Sequence, residues 1–445
     1  MNSQESNTTK VTKNAGWIIS MKIIQSLVSL IVGMLVVRYW GPSKYGTLTY
    51  ASSLVAFIIP IMNLGISNIL VQEIINYPKN EGEILGTAIT LSFFSSIFCI
   101  VIIYIFTSIA NKNDSTTIIV CLLYSINLIF RAFNLILYWF QAKYLSRITS
   151  IISFFAYCLV ALYKIVLLIQ LKTIYWFAVS SAFDYAIIAF FSYIYYRRNN
   201  GKRLSFSIKT AKVLFRKSKY YIVASMMVTI FAQTDKVMLK LMINEEATGY
   251  YGAAAASASM LGFVFSAIID SFRPSIFEGK RINNSVFEYR ETLLYSVIIY
   301  ASLIVSIFMT ATSKYIIKIL YGKDFIESIR ALQIIVWYTI FSYIGSVRNI
   351  WILANSLQKY LWIINFSGAS INVLLNCLFI PAFGICGAAS ASLITQIFTN
   401  VIIGYIIPPI RHNNAIMLNA LRPQYIITVT KKIISLTFSR FHQTD

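Results

Sequence analysis

Twelve apolar runs of about 20 residues each divide the chain between Gly16 and Ile407. A run of that length, wound as a helix, crosses the ~30 Å hydrocarbon core of a bilayer. The runs lie at 16–37, 47–71, 84–109, 116–140, 148–170 and 174–196, then at 220–243, 250–272, 293–312, 331–354, 361–380 and 385–407. Within them the apolar residues are continuous. That excludes an outer-membrane barrel, whose strands alternate lipid-facing and lumen-facing residues. In hydrocarbon every backbone polar group must be bonded internally, so the runs are helices. With 58% hydrophobic and only 12% charged residues, the 445-residue chain lacks the charge to cover a soluble fold. The expected fold is an all-α polytopic membrane protein with about twelve transmembrane helices.

The charges fix its orientation. The stretch Arg197–Lys219 carries nine Lys/Arg and no acid, and positively charged loops are poorly translocated. With residue 1 in the cytoplasm, the cytoplasmic segments hold 24 of the 38 Lys/Arg, the opposite side holds 8, and 6 lie within runs. The bias places both termini on the cytoplasmic side of the membrane. Segment 72–83 dissents, with Glu73, Glu81 and Glu83 against Lys79, but acids weigh little in this rule. The net charge of +22 therefore faces anionic lipid headgroups and not nucleic acid. The layout expected is an N-terminal six-helix bundle (1–196), a basic cytoplasmic linker (197–219), a C-terminal six-helix bundle (220–407) and a basic cytoplasmic tail (408–445). Leu204, Ile208, Ala211 and Phe215 recur at helical spacing opposite Lys209, Lys212, Arg216 and Lys217, so the linker reads either as a helix flat on the inner leaflet or as a solvated charged segment. Residues 426–441 repeat the pattern more weakly.

Several chemistries find no residues here. The five cysteines fall in or beside apolar runs without CxxC spacing and read as small buried apolar residues. No GxxxxGK[ST] is present to cradle nucleotide phosphates, and no HExxH to bind zinc. Both histidines, His412 and His442, lie beyond the last run, so no Ser/His/Asp set forms within the membrane. The expectation is a transporter without cofactor. The first fifteen residues are polar and lack the apolar core of a signal peptide.

Two stretches recur across the basic segment. YGTLTYASS from Tyr45 is echoed by YGAAAASAS from Tyr251, with Glu73 and Glu278 following at similar distances. RAFNLILYWFQAKYL from Arg131 is echoed by RNIWILANSLQKYL from Arg348, with Arg and Gln ten residues apart in both. Six runs per half is an even number, so both halves enter from the same side. The repeat is then parallel, about a pseudo-two-fold along the membrane normal, with a cavity expected between the halves.

Ionisable residues at membrane depth need water or a partner, since an ionised side chain near the bilayer centre costs roughly 2.5–3.5 kcal/mol. Arg131 and Asp184 lie near the middle of their runs; Lys22, Lys164, Lys236 and Arg348 lie at intermediate depth; Asp235, Lys240 and Asp270 are also within or at the edge of runs, Lys240 close enough to an end to snorkel. Arg131, Arg348, Lys22 and Lys236 are the candidate lumen cations for an anionic headgroup, because a guanidinium fork matches a phosphate by two parallel bonds. Asp184 and Asp235 are candidates for carrying a coupling ion. The alternative is internal pairing, for example of Arg131 with Asp184, which would only hold helices together.

RYWGPSKYGTLTYASSLVAFIIPIMNLGISNILVQEI (38–74) resembles the start of the polysaccharide-biosynthesis flippases, the O-antigen or Wzx-type translocases of the multidrug/oligosaccharidyl-lipid/polysaccharide exporter superfamily. TDKVMLKLMINEEATGYYGAAAA (234–256) resembles that family's second-half signature, and INVLLNCLFIPAFGICGAASASLITQ (371–396) its last two spans. The resemblance implies two six-helix bundles arranged as in the multidrug exporters of the MATE type. It also implies transport of an undecaprenyl-pyrophosphate-linked oligosaccharide to the outer leaflet, with a polymerase and chain-length proteins as pathway partners. A cation or drug antiporter of the same fold would prefer an acidic cavity, and a membrane O-antigen polymerase would be expected to carry a large outer loop.

Overall fold

The computed structural model describes residues 2–428, apart from the side chains of residues 2–23, 26, 27 and 146. Lys22 and most of the 426–441 stretch therefore lie outside the described residues. All regular structure among the described residues is helical. The helices are α1 (Asn2–Met62), α2 (Leu70–Asn76), α3 (Glu81–Ala110), α4 (Ser115–Ser125), α5 (Asn127–Phe133), α6 (Ile136–Ala142), α7 (Ser146–Ile169), α8 (Ile174–Arg198) and α9 (Ile208–Met242). They continue as α10 (Glu245–Ser259), α11 (Gly262–Ile282), α12 (Asn284–Leu320), α13 (Ser328–Ala354), α14 (Leu361–Ile397), α15 (Ile403–Ile406) and α16 (Pro408–Asn419). Nine helical segments among the described residues are long and apolar enough to cross a membrane.

Two of the long helices are broken by glycine. In α1 Gly41 adopts φ +69°, which L side chains avoid, and Pro42 behind it is preset for a first helical turn. In α14 Gly384 does the same at φ 58°, three residues after Pro381. Both breaks fall in Gly/Pro stretches of the sequence, GPSKYG and IPAFGICG.

The chain forms two compact units, Met1–Gly249 and Tyr250–Asp445. In the first, the run expected at 47–71 stops as helix at Met62, because Leu64 and Gly65 are both left-handed. The basic stretch has two parts, an extended segment and the start of a helix. Residues 201–207 lie extended along α3, where Gly82 and Gly86 have no side chain to hold them off; the Ser207 amide donates to Thr87 Oγ1 at 3.1 Å. From Ile208 the chain enters α9 directly, so the remaining cations occupy the first turns of a 35-residue helix about 52 Å long.

The acids of 72–83 find their partners here. Glu73, 5% exposed, pairs with Lys217 at 2.7 Å, Glu81 with Lys143 at 2.8 Å, and Glu83 accepts from the Thr210 hydroxyl at 2.5 Å. Lys202 donates to the carbonyls of Pro78 and Lys79. Three segments that the charge bias assigns to one side thus meet at one end of the unit. At another place, segments assigned to the opposite side meet. Lys240 bridges Asp114 at 3.2 Å and Glu245 at 2.8 Å, and Gly46 abuts the Glu245 backbone. Lys240, expected to snorkel, is instead enclosed, its side chain 9% exposed, because two carboxylates compensate its burial. Partial burial would raise the Asp114 carboxyl, but the Thr117 hydroxyl and amide together with Lys240 hold it below the usual carboxylate range.

In the second unit α12, α13 and α14 pack side by side, and α16 closes on α12. Its core is a continuous apolar cluster around Leu294, Ile298, Val347 and Ile410.

Candidate functional site

A groove of about 460 Å³ opens in the first unit between the second half of α1 and the middle of α9. Pro60 at its wall and the left-handed turn at Leu64–Gly65 end α1 here, which opens space beside α9. Asn63, Ser67 and Asn68 face it from the α1 side, and Ser225, Thr229 and Gln233 from α9. The three α9 residues recur every four positions and so share one face of the helix. The rest of the wall is small and apolar, and no ionisable residue lines it. Gln233 is held in place: its Oε1 accepts from the Ser53 hydroxyl and from Lys236 Nζ, both at 3.1 Å. An amide fixed in this way keeps its NH2 group available to a ligand.

The sequence-derived residues scatter around this groove. Lys236 stands behind Gln233, one turn along α9, and is the candidate cation tied to the groove. Its neighbour Asp235 is buried, 5% exposed. Arg131, on α5, donates from Nη1 to the Tyr185 hydroxyl at 2.5 Å, and its guanidinium lies over the Tyr185 ring at 4.4 Å. One turn earlier Asn127 donates to Ser181 of α8. Both bonds join residues 54 positions apart, so α5 and α8 run in the same direction. Asp184, beside Tyr185, lies within electrostatic reach of Lys164 and Arg131. Arg131 and Asp184 form no bridge: Arg131 is held by the Tyr185 ring and hydroxyl, and one Asp184 oxygen is buried without a hydrogen-bond partner.

Arg348 occupies a different setting from its sequence counterpart. It is 3% exposed inside the second unit and donates to the Thr399 carbonyl, in the π-helical turn Phe398–Ile402. Gly345, one turn before it, leaves room for Asn400, which bonds Gln396. The matching Arg-to-Gln spacing therefore does not give matching environments. In this conformation the guanidinium is enclosed, with Nη1 committed to a backbone carbonyl and Nε without a hydrogen-bond partner.

Sequence reasoning missed the groove because its lining is uncharged. Asn, Gln, Ser and Thr inside an apolar run attract no notice on hydropathy alone. It also missed Glu291, 0% exposed, because the apolar run begins at 293, whereas α12 begins at Asn284.

The chain was compared with known proteins. The pattern of the family described as "Polysaccharide biosynthesis protein" matches residues 11–280. No curated protein matches the sequence. Among solved structures, the fold is similar to a lipid II flippase MurJ in an inward closed conformation, with TM-score 0.71, 14% identity, and coverage of 93% of this chain and 92% of that one. It is also similar to an inward-facing multidrug resistance MATE family transporter of the MOP superfamily, with TM-score 0.65, 11% identity, and coverage of 88% and 95%. A MATE protein in a bent conformation matches with TM-score 0.54 at 13% identity, over 90% and 93% of the two chains. Identities this low speak for the shared fold alone. The family match, which spans more than half of the chain, goes further: this protein is a multi-pass membrane member of the polysaccharide biosynthesis protein family, with the fold of the MurJ and MATE transporters.

Proposed function

We propose that this protein is a flippase. It carries an undecaprenyl-pyrophosphate-linked oligosaccharide, an O-antigen or capsule repeat unit, from the inner to the outer leaflet of the bacterial cytoplasmic membrane by alternating access. The observation that carries this reading is the groove between α1 and α9. Sugar hydroxyls and acetamido groups both donate and accept hydrogen bonds, and so do the Asn, Gln, Ser and Thr side chains that line it. Lys236, behind Gln233, supplies a positive charge within one side chain of the groove, suited to a pyrophosphate. The polyprenyl tail stays in lipid. A drug or cation antiporter is disfavoured because no acid lines the groove. Polymer formation, the enzymatic alternative, would call for a large outer loop, and the longest one expected, 313–330, is short.

The test is the location of lipid-linked repeat units in a deletion strain, by accessibility to a membrane-impermeant sugar-oxidising label. Build-up on the inner leaflet supports flipping, whereas single repeats already on the outer face would favour a polymerase. Thr229→Trp, which fills the groove from α9, is expected to reproduce the deletion phenotype with the protein still in the membrane at normal abundance.

Arg131 gives a second test. If its charge serves the substrate, Arg131→Ala abolishes surface polysaccharide without loss of protein, and Arg131→Lys keeps part of it. Normal polymer from Arg131→Ala would leave only the role of clamping α5 to Tyr185.

A further inference from the structure

The second unit buries a carboxylic acid that the flippase reading does not use. Glu291, on α12, is fully enclosed. Its Oε1 accepts a long bond, 3.4 Å, from the Asn413 amide of α16, and its Oε2 has no partner. No cation lies within 4 Å of it among the described residues. Asn413 is itself 1% exposed and accepts from the Tyr295 hydroxyl at 3.0 Å, one turn along α12 from Glu291.

The charged groups on the helices around Glu291 each have another partner, Arg348 through Nη1 alone. On its own helix Glu288 pairs with His412 of α16 at 2.8 Å, and Arg290 with Glu278 of α11 at 3.0 Å. Lys280 of α11 donates to Asn284 and Asn355. Arg348 of α13 bonds the Thr399 carbonyl, and Arg411 of α16 the Tyr405 carbonyl. An ionised carboxylate in such a place would face a desolvation penalty of several kcal/mol with one weak bond to offset it. A neutral carboxyl faces almost none.

We propose that Glu291 is a proton-binding site of this transporter, protonated while α16 is packed on α12 and releasing its proton when that contact opens to water. The carboxyl O–H bond breaks, the proton passes to water or to the nearby Glu288–His412 pair, and the hydrated carboxylate prevents α16 from re-closing until a proton returns. The outer pair, exposed at both residues, lies one turn from Glu291 along α12 and next to Asn413 along α16, so proton exchange needs only a local opening. The role in transport rests on the flippase reading; the proton site itself does not.

Infrared difference spectroscopy of the purified protein across pH 5 to 9 reads protonated carboxyls directly. A carboxyl band that persists at neutral pH in the wild type and is missing from Glu291→Gln is the expected result; identical spectra would overturn the proposal. Should Glu291→Gln fail to accumulate, Asn413→Ala carries the same test. Losing the donor that favours the ionised form must move disappearance of the band to higher pH, and an unmoved band refutes the assignment. In cells, Glu291→Gln at normal abundance should leave surface polysaccharide at the level of the deletion strain. Wild-type polymer from it would remove the transport role. A wild-type protein that keeps the band but moves no lipid-linked sugar would sink the flippase reading and leave the proton site standing.

Discussion

Arg348→Ala should cost this protein its stability before it costs any transport. The guanidinium is held inside the second unit, against a backbone carbonyl in a π-helical turn. A hydrogen bond from a charged group contributes about 1.5–3 kcal/mol, and the cavity left by truncating a buried side chain adds about 2 kcal/mol or more. Marginal stability cannot absorb that sum without a fall in folded protein. The measurement is a detergent melting curve with membrane abundance beside it. Arg348→Met keeps much of the volume while removing the bond, so it should fall between wild type and Arg348→Ala. A normal melting temperature for Arg348→Ala would show that the bond to Thr399 adds nothing. Arg131→Ala, with a half-buried side chain on an aromatic face, should by contrast leave the protein in the membrane.

The second large effect is expected at Gly46. A Cβ there would run into the Glu245 carbonyl, and the facing Gly249 could no more take one, because it meets the carbonyl of Pro42. Backbone lies against backbone at this crossing, as small residues permit in membrane helices. Overpacking costs about 1–3 kcal/mol where side chains can yield, and a carbonyl on a helix yields less. Gly46→Val should therefore abolish accumulation, or at the least lower the melting temperature sharply. Gly33→Ala is the matched control: nothing lies within 4 Å of its Cβ position, and alanine favours helix by about 1 kcal/mol over glycine. Equal melting of the two variants would refute the close crossing.

Gly46 also shows how a sequence pattern can be right for an unseen reason. The YG dipeptide was noticed as half of a repeat, yet what holds glycine at 46 is the approach of residues about 200 positions away. The Gly41 and Gly384 breaks were legible because a Gly/Pro turn is a local matter of φ and of a missing amide hydrogen. The break of the fourth run into α4, α5 and α6 was not, and the run 116–140 reads as continuous.

The sequence by itself determined that the chain is helical, that it lies in a membrane, and roughly where most of its helices lie. These follow from run length, hydropathy and charge, which are properties of neighbours along the chain. Only the tertiary structure decided that Arg348 is enclosed while Arg131 lies against a tyrosine ring, that Glu291 is buried with an unmatched oxygen, and that uncharged amides and hydroxyls of the turn after α1 and of α9 face one groove. Burial and partnership depend on which distant helices come together. A lone charge or amide in an apolar run has the same local sequence whether it meets lipid, water or another helix.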